Sequence, residues 1–228
     1  MIVNNSISQI VSLNVGMPVT ASHGSKQIQT GIFKSSSTDS HQLKFNGLSG
    51  DGQADLIHHG GPDKAVCVYC EQHYPYWEQQ LERKLEPGAF GENWTISEWT
   101  ERDICIGDII QAGEVVVQVS QPRQPCYKIG IRHQMPELTE QVQKTGYTGF
   151  YFRVLQEGRI TAGIPLLFIS RHPAAISIAE ANRIMYTDKN DVDAIKALLA
   201  VDELAASWRN TLSSRLLKLQ QQEGQGGI

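Results

Sequence analysis

Apolar positions change their spacing once along this chain, near residue 170. Before that point they come in short alternating or unbroken runs closed by glycine: "SISQIVSLNV", "KQIQTGIF", "AVCVYC", "DIIQAGEVVVQVS", "GFYFRVL" and "RITAGIPLLFIS". Such runs predict many short strands with tight turns, the pattern of a barrel or a sandwich. "IIQAGEVVV" reads as a hairpin turning at Ala112-Gly113, and "VLQEGRI" as another around Glu157-Gly158. Helical stretches interrupt the strands: the tail of "CEQHYPYWEQQLERKL", and "CYKIGIRH" with "MPELTEQVQKTG", the last stopped at Gly146. "KSSSTDS" reads as a mobile loop.

After Arg171-His172-Pro173 the apolar residues recur at helical spacing. "SIAEANRIMYT", "DVDAIKALLA" and "DELAASWRNTLSSRLLKLQQQ" each begin with Ser or Asp, residues suited to cap a helix N-terminus. Ile178, Ala181, Ile184 and Met185 mark one face, and Leu204, Trp208, Leu212 and Leu216 another. The expectation is a β-rich domain over 1–170 and a small three-helix unit over 171–228, docked by its apolar faces, with "QQQEGQGGI" frayed at the end.

Composition narrows the classes. With 228 residues and 40% hydrophobic content the chain can bury a substantial core. Its net charge of -4 and lack of a basic stripe interleaved with aromatics exclude a nucleic-acid groove. No apolar run approaches the ~20 residues that span a bilayer, and the start, "MIVNNSISQIVSLNVG", is polar where a signal peptide is apolar, so no membrane is expected and the cytoplasm is the default. Cysteines at 67, 70, 105 and 126 do not form a disulfide framework and are taken as reduced thiols.

The chemistry concentrates in three stretches. In "SQPRQPCYKIG", two prolines bracket an arginine and the next residue is Cys126. Pro125 suits the first turn of a helix, which would set the thiol at a helix N-terminus with Arg123 and Lys128 close in sequence, a setting that favours thiolate. The plain alternative is a small buried hydrophobe. In "DGQADLIHHGGPDKAVCVY", His58 and His59 precede a Gly60-Gly61-Pro62 turn, and Lys64 stands before a strand. Glycines admit an anion to the backbone, lysine supplies charge, and a histidine exchanges protons near neutrality. In "PGAFGENW", Asn93 can both donate to and accept from a heterocycle edge. Each of the latter two reads equally as a loop. "CVYC" has zinc-ligand spacing, but no second pair completes a four-ligand site, and Cys67 inside an apolar strand reads as core packing. The histidines at 23, 41, 73, 133 and 172 are scattered and receive no role.

Taken in order, "HGGPDKAV", "GAFGEN" and "GD" followed by "VSQPRQPCYK" resemble the MOSC family, named for the C-terminal domain of molybdenum cofactor sulfurases, and within it the stand-alone YiiM-like hydroxylaminopurine resistance proteins. The resemblance runs over roughly 40 to 170, and the tail is similar to the three-helix appendage of that subgroup; the first forty residues carry no matching motif. The resemblance implies a mixed, mainly β, barrel-like fold with inserted helices that holds molybdenum cofactor, a pterin dithiolene with a terminal phosphate. Carried onto this chain, Cys126 becomes the metal ligand, with Arg123 and His59 completing a group around it, Arg123 stabilising thiolate and cofactor and His59 steering a proton. Gly60, Gly61, Lys64, Asn93, Arg123 and Lys128 are the implied holders of pterin and phosphate. The implied activity is reduction of N-hydroxylated bases, N–OH to N–H. No GxGxxG follows a strand, so electrons would come from a separate flavin-containing reductase. A homodimer is compatible with this pattern. Two rival readings are a non-catalytic carrier of molybdenum cofactor or sulfur, and a metal-free cysteine enzyme with Cys126 as nucleophile and His59 as base.

Overall fold

A computed structural model of the chain describes residues 7–225. Chain order gives β1 (Ser8–Val15), β2 (Val19–His23), β3 (Lys26–Thr30), β4 (Ser35–Ser37), β5 (His41–Lys44) and β6 (Gly47–Leu48), then α1 (Leu56–His59), a 3-10 turn (Pro62–Lys64) and β7 (Val66–Cys70). A second 3-10 turn (Glu71–His73) leads into α2 (Tyr74–Leu81), β8 (Trp94–Ile96), β9 (Ile109–Ala112), β10 (Val115–Pro122), α3 (Lys128–His133) and α4 (Leu138–Thr145). The chain continues with β11 (Phe150–Gln156), β12 (Gly158–Ile160), β13 (Pro165–Ser170), α5 (Ile178–Asn182), a π-helical turn (Arg183–Thr187), α6 (Val192–Leu199) and α7 (Ala206–Gln225).

Strands β13, β9, β10, β11, β7, β8 and β1 lie side by side in that order, and β1 pairs back onto β13 with Ser8 opposite Leu166, so seven strands close a barrel. Closure leaves these strands no edge to pair with another chain. The β7–β8 contact is parallel and the others antiparallel. All five residues of β7 are buried. Val66, Val68 and Cys70 join the barrel core with Trp94, Ile110, Val117 and Phe152. The intervening Tyr69 faces outward into a second cluster with Trp77, Phe90, Ile129 and Leu138, which seats α2, α3 and α4 against the barrel wall. A strand covered on both faces reads as an unbroken apolar run, as "VCVYC" does.

The tail shares the barrel's core. Ile178, Ile184, Leu198, Trp208 and Leu212 are at most 1% exposed and contiguous with the barrel's apolar residues. Ser177 and Asp191 cap α5 and α6, each accepting from a backbone N–H three residues on. Asp202 does not cap the third helix, which begins only at Ala206. The Ala206 N–H donates instead to the Asp63 carboxylate at 3.1 Å, and the Ala205 N–H to the Ser120 carbonyl at 2.9 Å.

Several local expectations change. Val115 pairs with Ala112, so the β9–β10 turn is Gly113-Glu114 rather than Ala112-Gly113. "VLQEGRI" is no hairpin: Gly158–Ile160 leaves β11 and pairs with β5. "KSSSTDS" is no loose loop, because Ser35–Ser37 pairs with β1 and Ser36 Oγ donates to Asn14 Oδ1 at 3.2 Å. α7 continues through Gln225, and the rest of the supposed frayed end, 226–228, lies outside the described residues.

Candidate functional site

β10 carries the proline-bracketed stretch to the site. It runs through Pro122, opposite Phe150, and the Arg123 N–H donates to the Gly149 carbonyl at 3.0 Å, extending the pairing with β11 by one step. The chain then leaves the sheet. Pro125 does not start a helix: α3 begins at Lys128, and Cys126 stands two residues ahead of it. The Cys126 carbonyl accepts from the Ile129 N–H at 3.0 Å and Thr139 Oγ1 at 3.2 Å, which pins the residue while its side chain stays half-buried. Ile129, 1% exposed, anchors α3 in the second apolar cluster.

Cys126 borders two clefts. The inner one, of about 70 Å³, is lined by His59, Lys64, Asn93, Arg123, Cys126 and Lys128 together with residues from Thr30–Lys34 and Gly52–Ala54. The outer one, of about 610 Å³, shares His59, Lys64, Cys126, Lys128 and Tyr151 with it and continues to Ser207 and Thr211 of α7. The fold thus brings together His59, Lys64, Asn93, Arg123, Cys126 and Lys128 from three separate stretches of sequence. Gly60 and Gly61 line neither cleft. Gly61, at φ 92°, makes the turn that carries His59 and Lys64, and its carbonyl accepts from the Lys64 N–H.

Lys34, Lys64, Arg123 and Lys128 line the inner cleft with no carboxylate among them, while Asp55 lines the outer one. Arg123 is 6% exposed, and its buried Nη1 has no hydrogen-bond partner among the described residues. A guanidinium is always charged, so this is a buried cation with an unused donor. It lies close enough to Cys67, Tyr151, Cys126 and the buried Glu92 carboxylate to interact electrostatically with all four. Burial first, then Lys128, Arg123 and Lys64, lower the His59 pKa to about 4, with Asp55 opposing. The expectation that His59 titrates near neutrality is corrected: its imidazole is neutral at pH 7. Burial also lowers the Lys64 ammonium, against Asp63 and Asp55.

Asn93 lines the inner cleft and is held by the scaffold through three hydrogen bonds. Its Oδ1 accepts from the Cys67 N–H at 3.1 Å, and its Nδ2 donates to Asp51 Oδ2 at 2.9 Å and the Asn14 carbonyl at 3.3 Å. Both amide hydrogens are therefore taken by the scaffold, and Oδ1 keeps one lone pair with which to accept from a ligand.

Reading by sequence misses Cys67, Tyr151 and the N-terminal lining. Residues 67 and 70 are three apart in a strand, so they point to opposite faces. Cys67 faces the inner cleft and is not core packing; Cys70 turns inward, where its thiol, His73 Nε2 and a Glu101 oxygen all lie within 4.8 Å of one another. Glu101 accepts from His73 at 2.6 Å and from the Gly149 N–H at 2.7 Å, giving His73 a structural partner that its sequence position did not suggest. Tyr151 is the cross-strand neighbour of Cys67, and both line the inner cleft. Burial pushes up both the Cys67 thiol and the Tyr151 phenol. Strand alternation in "VCVYC" and "FYF" is the signal that could have found this pair. Lys34 and Asp51 form a buried ion pair, 5% and 1% exposed, with no motif to announce it.

Fold and site together define a class: a closed β-barrel with a cationic, thiol-bearing cleft on its outer wall and a helical tail reaching the cleft mouth. The family model for the MOSC domain matches residues 55–166, and that for the "YiiM-like, 3-alpha helix domain" matches 176–219. The chain is 50% identical over 200 residues to the uncharacterized protein YflK of Bacillus subtilis, covering 88% of this chain and 90% of that one. The crystal structure of YiiM from Geobacillus stearothermophilus superposes with a TM-score of 0.80 at 42% identity, over 92% of this chain and 99% of that one. A Gibberella moniliformis protein named "Reductase" is 32% identical over 165 residues, 70% of this chain but 29% of its own length. The chain belongs to the MOSC domain family, in its YiiM-like branch. Among the described residues no helix is long and apolar enough to cross a membrane.

Proposed function

We propose that this protein is a molybdenum-cofactor-dependent reductase of N-hydroxylated compounds, converting N–OH to N–H in hydroxylaminopurine-type bases and related molecules as a cytoplasmic detoxification. The observation that carries the reading is the buried Arg123 guanidinium, with an unpartnered nitrogen, close to the half-buried Cys126 thiol. Glu92 acts on the Arg123 charge, but a buried N–H without a hydrogen-bond partner is costly, and an anionic ligand relieves that cost. A soft thiolate suits a metal already bound by dithiolene sulfur, so the donor set fits molybdenum cofactor.

In this reading Cys126 is the protein ligand to the metal. Arg123 holds the thiolate and the anionic cofactor, and Lys64 and Lys128 hold its phosphate. When bound, the cofactor supplies the two-electron reduction of the N–O bond, with loss of water. His59, neutral at physiological pH, orients the N–OH group by a hydrogen bond and relays a proton rather than storing one. Gly60 and Gly61 set the turn that carries His59 and Lys64, and Asn93 keeps one acceptor position for the cofactor. The fungal relative named "Reductase" supports a reductive activity. Electrons come from a separate flavin-containing reductase.

The test is molybdenum per chain in protein made in cofactor-producing cells, followed by reduction of benzamidoxime with a supplied electron donor. Cys126→Ser should lose molybdenum by more than the roughly 10-fold that even a supporting group costs, while its circular dichroism is unchanged. A wild-type protein without molybdenum, or a Cys126→Ser protein with full metal and full turnover, overturns the assignment. Bound molybdenum without turnover would instead make the chain a carrier.

A further inference from the structure

Cys70 and His73 take no part in the two clefts, yet their stretch, "CEQH", has metal-ligand spacing that the fold honours. Cys67 and Cys70 leave a strand on opposite faces and cannot share an ion. Cys70 and His73 instead bracket a 3-10 turn, Glu71–His73, and in such a turn side chains three residues apart lie one above the other. Glu101, from the segment between β8 and β9, completes the group, and one ligand atom from each of the three residues lies within 4.8 Å of the other two. All three are buried, at 0%, 6% and 3% exposure.

Neighbours aim these donors. Glu101 Oε1 accepts from the Gly149 N–H at 2.7 Å, which leaves Oε2 to meet His73 Nε2 at 2.6 Å. The His73 ring stacks on Tyr147, with centroids 3.9 Å apart and planes 9° from parallel. Outer contacts of this kind fix the ligands of metal centres. A thiolate, a carboxylate and a neutral imidazole together balance a divalent cation, and the mixed sulfur, nitrogen and oxygen set suits Zn2+ rather than Mg2+ or Ca2+. Tetrahedral zinc sets its ligand atoms roughly 3.4–3.6 Å apart, so an ion replacing the hydrogen between His73 and Glu101 widens that pair by less than about 1 Å.

The group opens on one side. His73 and Glu101 line a third cavity, of about 440 Å³, together with Tyr147 and Asn182. Asn182 is 5% exposed; its Nδ2 donates to Thr148 Oγ1 at 2.8 Å, and its Oδ1 has no hydrogen-bond partner among the described residues. Thr148 spends its own hydroxyl hydrogen on the Gly149 carbonyl, so turning the amide round would not satisfy Oδ1. A cation-bound water in this cavity is a donor of the kind Oδ1 lacks.

We infer that Cys70, His73 and Glu101 form a zinc site, with three protein ligands and a fourth position open to this cavity. Four protein ligands make a closed structural site, whereas three leave a place for water or a small anion. The site is separate from the cysteine-bearing clefts and does not rest on the proposed function.

The experiment isolates one thiol. In the full chain, Cys67→Ala, Cys105→Ser and Cys126→Ser together leave Cys70 as the last of four cysteines. Stripped of metal, this protein should bind one Zn2+ per chain in competition with a chromophoric chelator, and Zn2+ should raise its thermal midpoint. Co2+ in its place should give a thiolate-to-cobalt charge-transfer band and the visible bands of four-coordinate cobalt. Adding Cys70→Ser, which keeps a hydroxyl beside Glu101, should abolish the charge-transfer band. Cys70→Ser or His73→Gln should weaken Zn2+ binding by at least roughly 10-fold, the smallest loss expected even for a group that only supports a ligand. The same two substitutions made singly in the wild-type chain should each remove one Zn2+ per chain, which keeps the test decisive if the triple variant does not fold. No charge-transfer band from folded protein with Cys70 alone, or Zn2+ binding unchanged by both substitutions, overturns the inference.

Discussion

The inner cleft is lined from two parts of the chain that treat their polar groups in opposite ways. On the N-terminal part, Lys34 and Asp51 are paired out of water, and Asp51 further accepts from Asn93 at 2.9 Å, Gln53 at 3.1 Å and the Gly16 N–H at 3.0 Å. On the motif-bearing part, Arg123 keeps a buried nitrogen unpartnered and His59 is held neutral among cations. One lining is saturated and acts as scaffold; the other stores unused binding capacity at a cost in stability. A polar group buried beside a cleft is informative about function mainly through what it lacks.

Removing a charge should therefore have opposite effects on the two linings. Asp51→Ala strands the buried Lys34 ammonium and should destabilise the cofactor-free protein by about 3–5 kcal/mol in urea unfolding. Arg123→Met should leave the same protein unchanged or more stable, because Nη1 has no hydrogen-bond partner to lose and Glu92, the carboxylate that acts on the guanidinium, keeps its own donors from Tyr74, Thr95 and the Gly88 and Phe90 N–H groups. Equal losses in the two variants would erase the distinction. A smaller effect comes from backbone packing on the scaffold side. A Cβ at Gly31 would lie 2.4 Å from the Gly52 carbonyl, so Gly31→Ala must push the two segments apart. The expected cost is about 1–3 kcal/mol, read as a lower denaturation midpoint.

The smallest effect is in pH. His59 titrates at 6.5 in the unfolded chain and at about 4 in the folded one. Between those values the unfolded state takes up a proton that the folded state does not, so His59 contributes stability above pH 6.5 that is lost as pH falls toward 4. His133, also lowered to about 4 chiefly by burial, acts in the same window. Unfolding at pH 7 and pH 5 should show His59→Gln losing less stability on acidification than wild type, with His133 retaining the remainder. An identical pH 7 to pH 5 difference in both proteins would mean that His59 is solvated in the folded chain.

Local signals carried a large part of this protein. Period two against period 3.6 separates the strand-rich part from the helices, Ser177 and Asp191 cap as their residue types suggest, and Gly146 ends α4 in the left-handed conformation. The motif order brings Cys126, Arg123, His59, Lys64 and Lys128 into consideration, and the fold gathers all five around one cleft. What sequence alone could not reach depends on partners distant in the chain. Gly158–Ile160 has hairpin chemistry before it, yet strand β5, more than a hundred residues earlier, takes the pairing. The third tail helix is capped by Asp63, 143 positions away, rather than by its own Asp202. Cys67 looks apolar by its neighbours and is a cleft residue by its face. His59 would titrate like any solvated histidine were it not for burial and three cations, two of them from the stretch after β10. Periodicity and capping are decided by atoms within a turn of each other, so the residues themselves determine them. Strand pairing, side-chain exposure and the field at a titrating group are sums over the whole packed chain, and only the tertiary structure sets them.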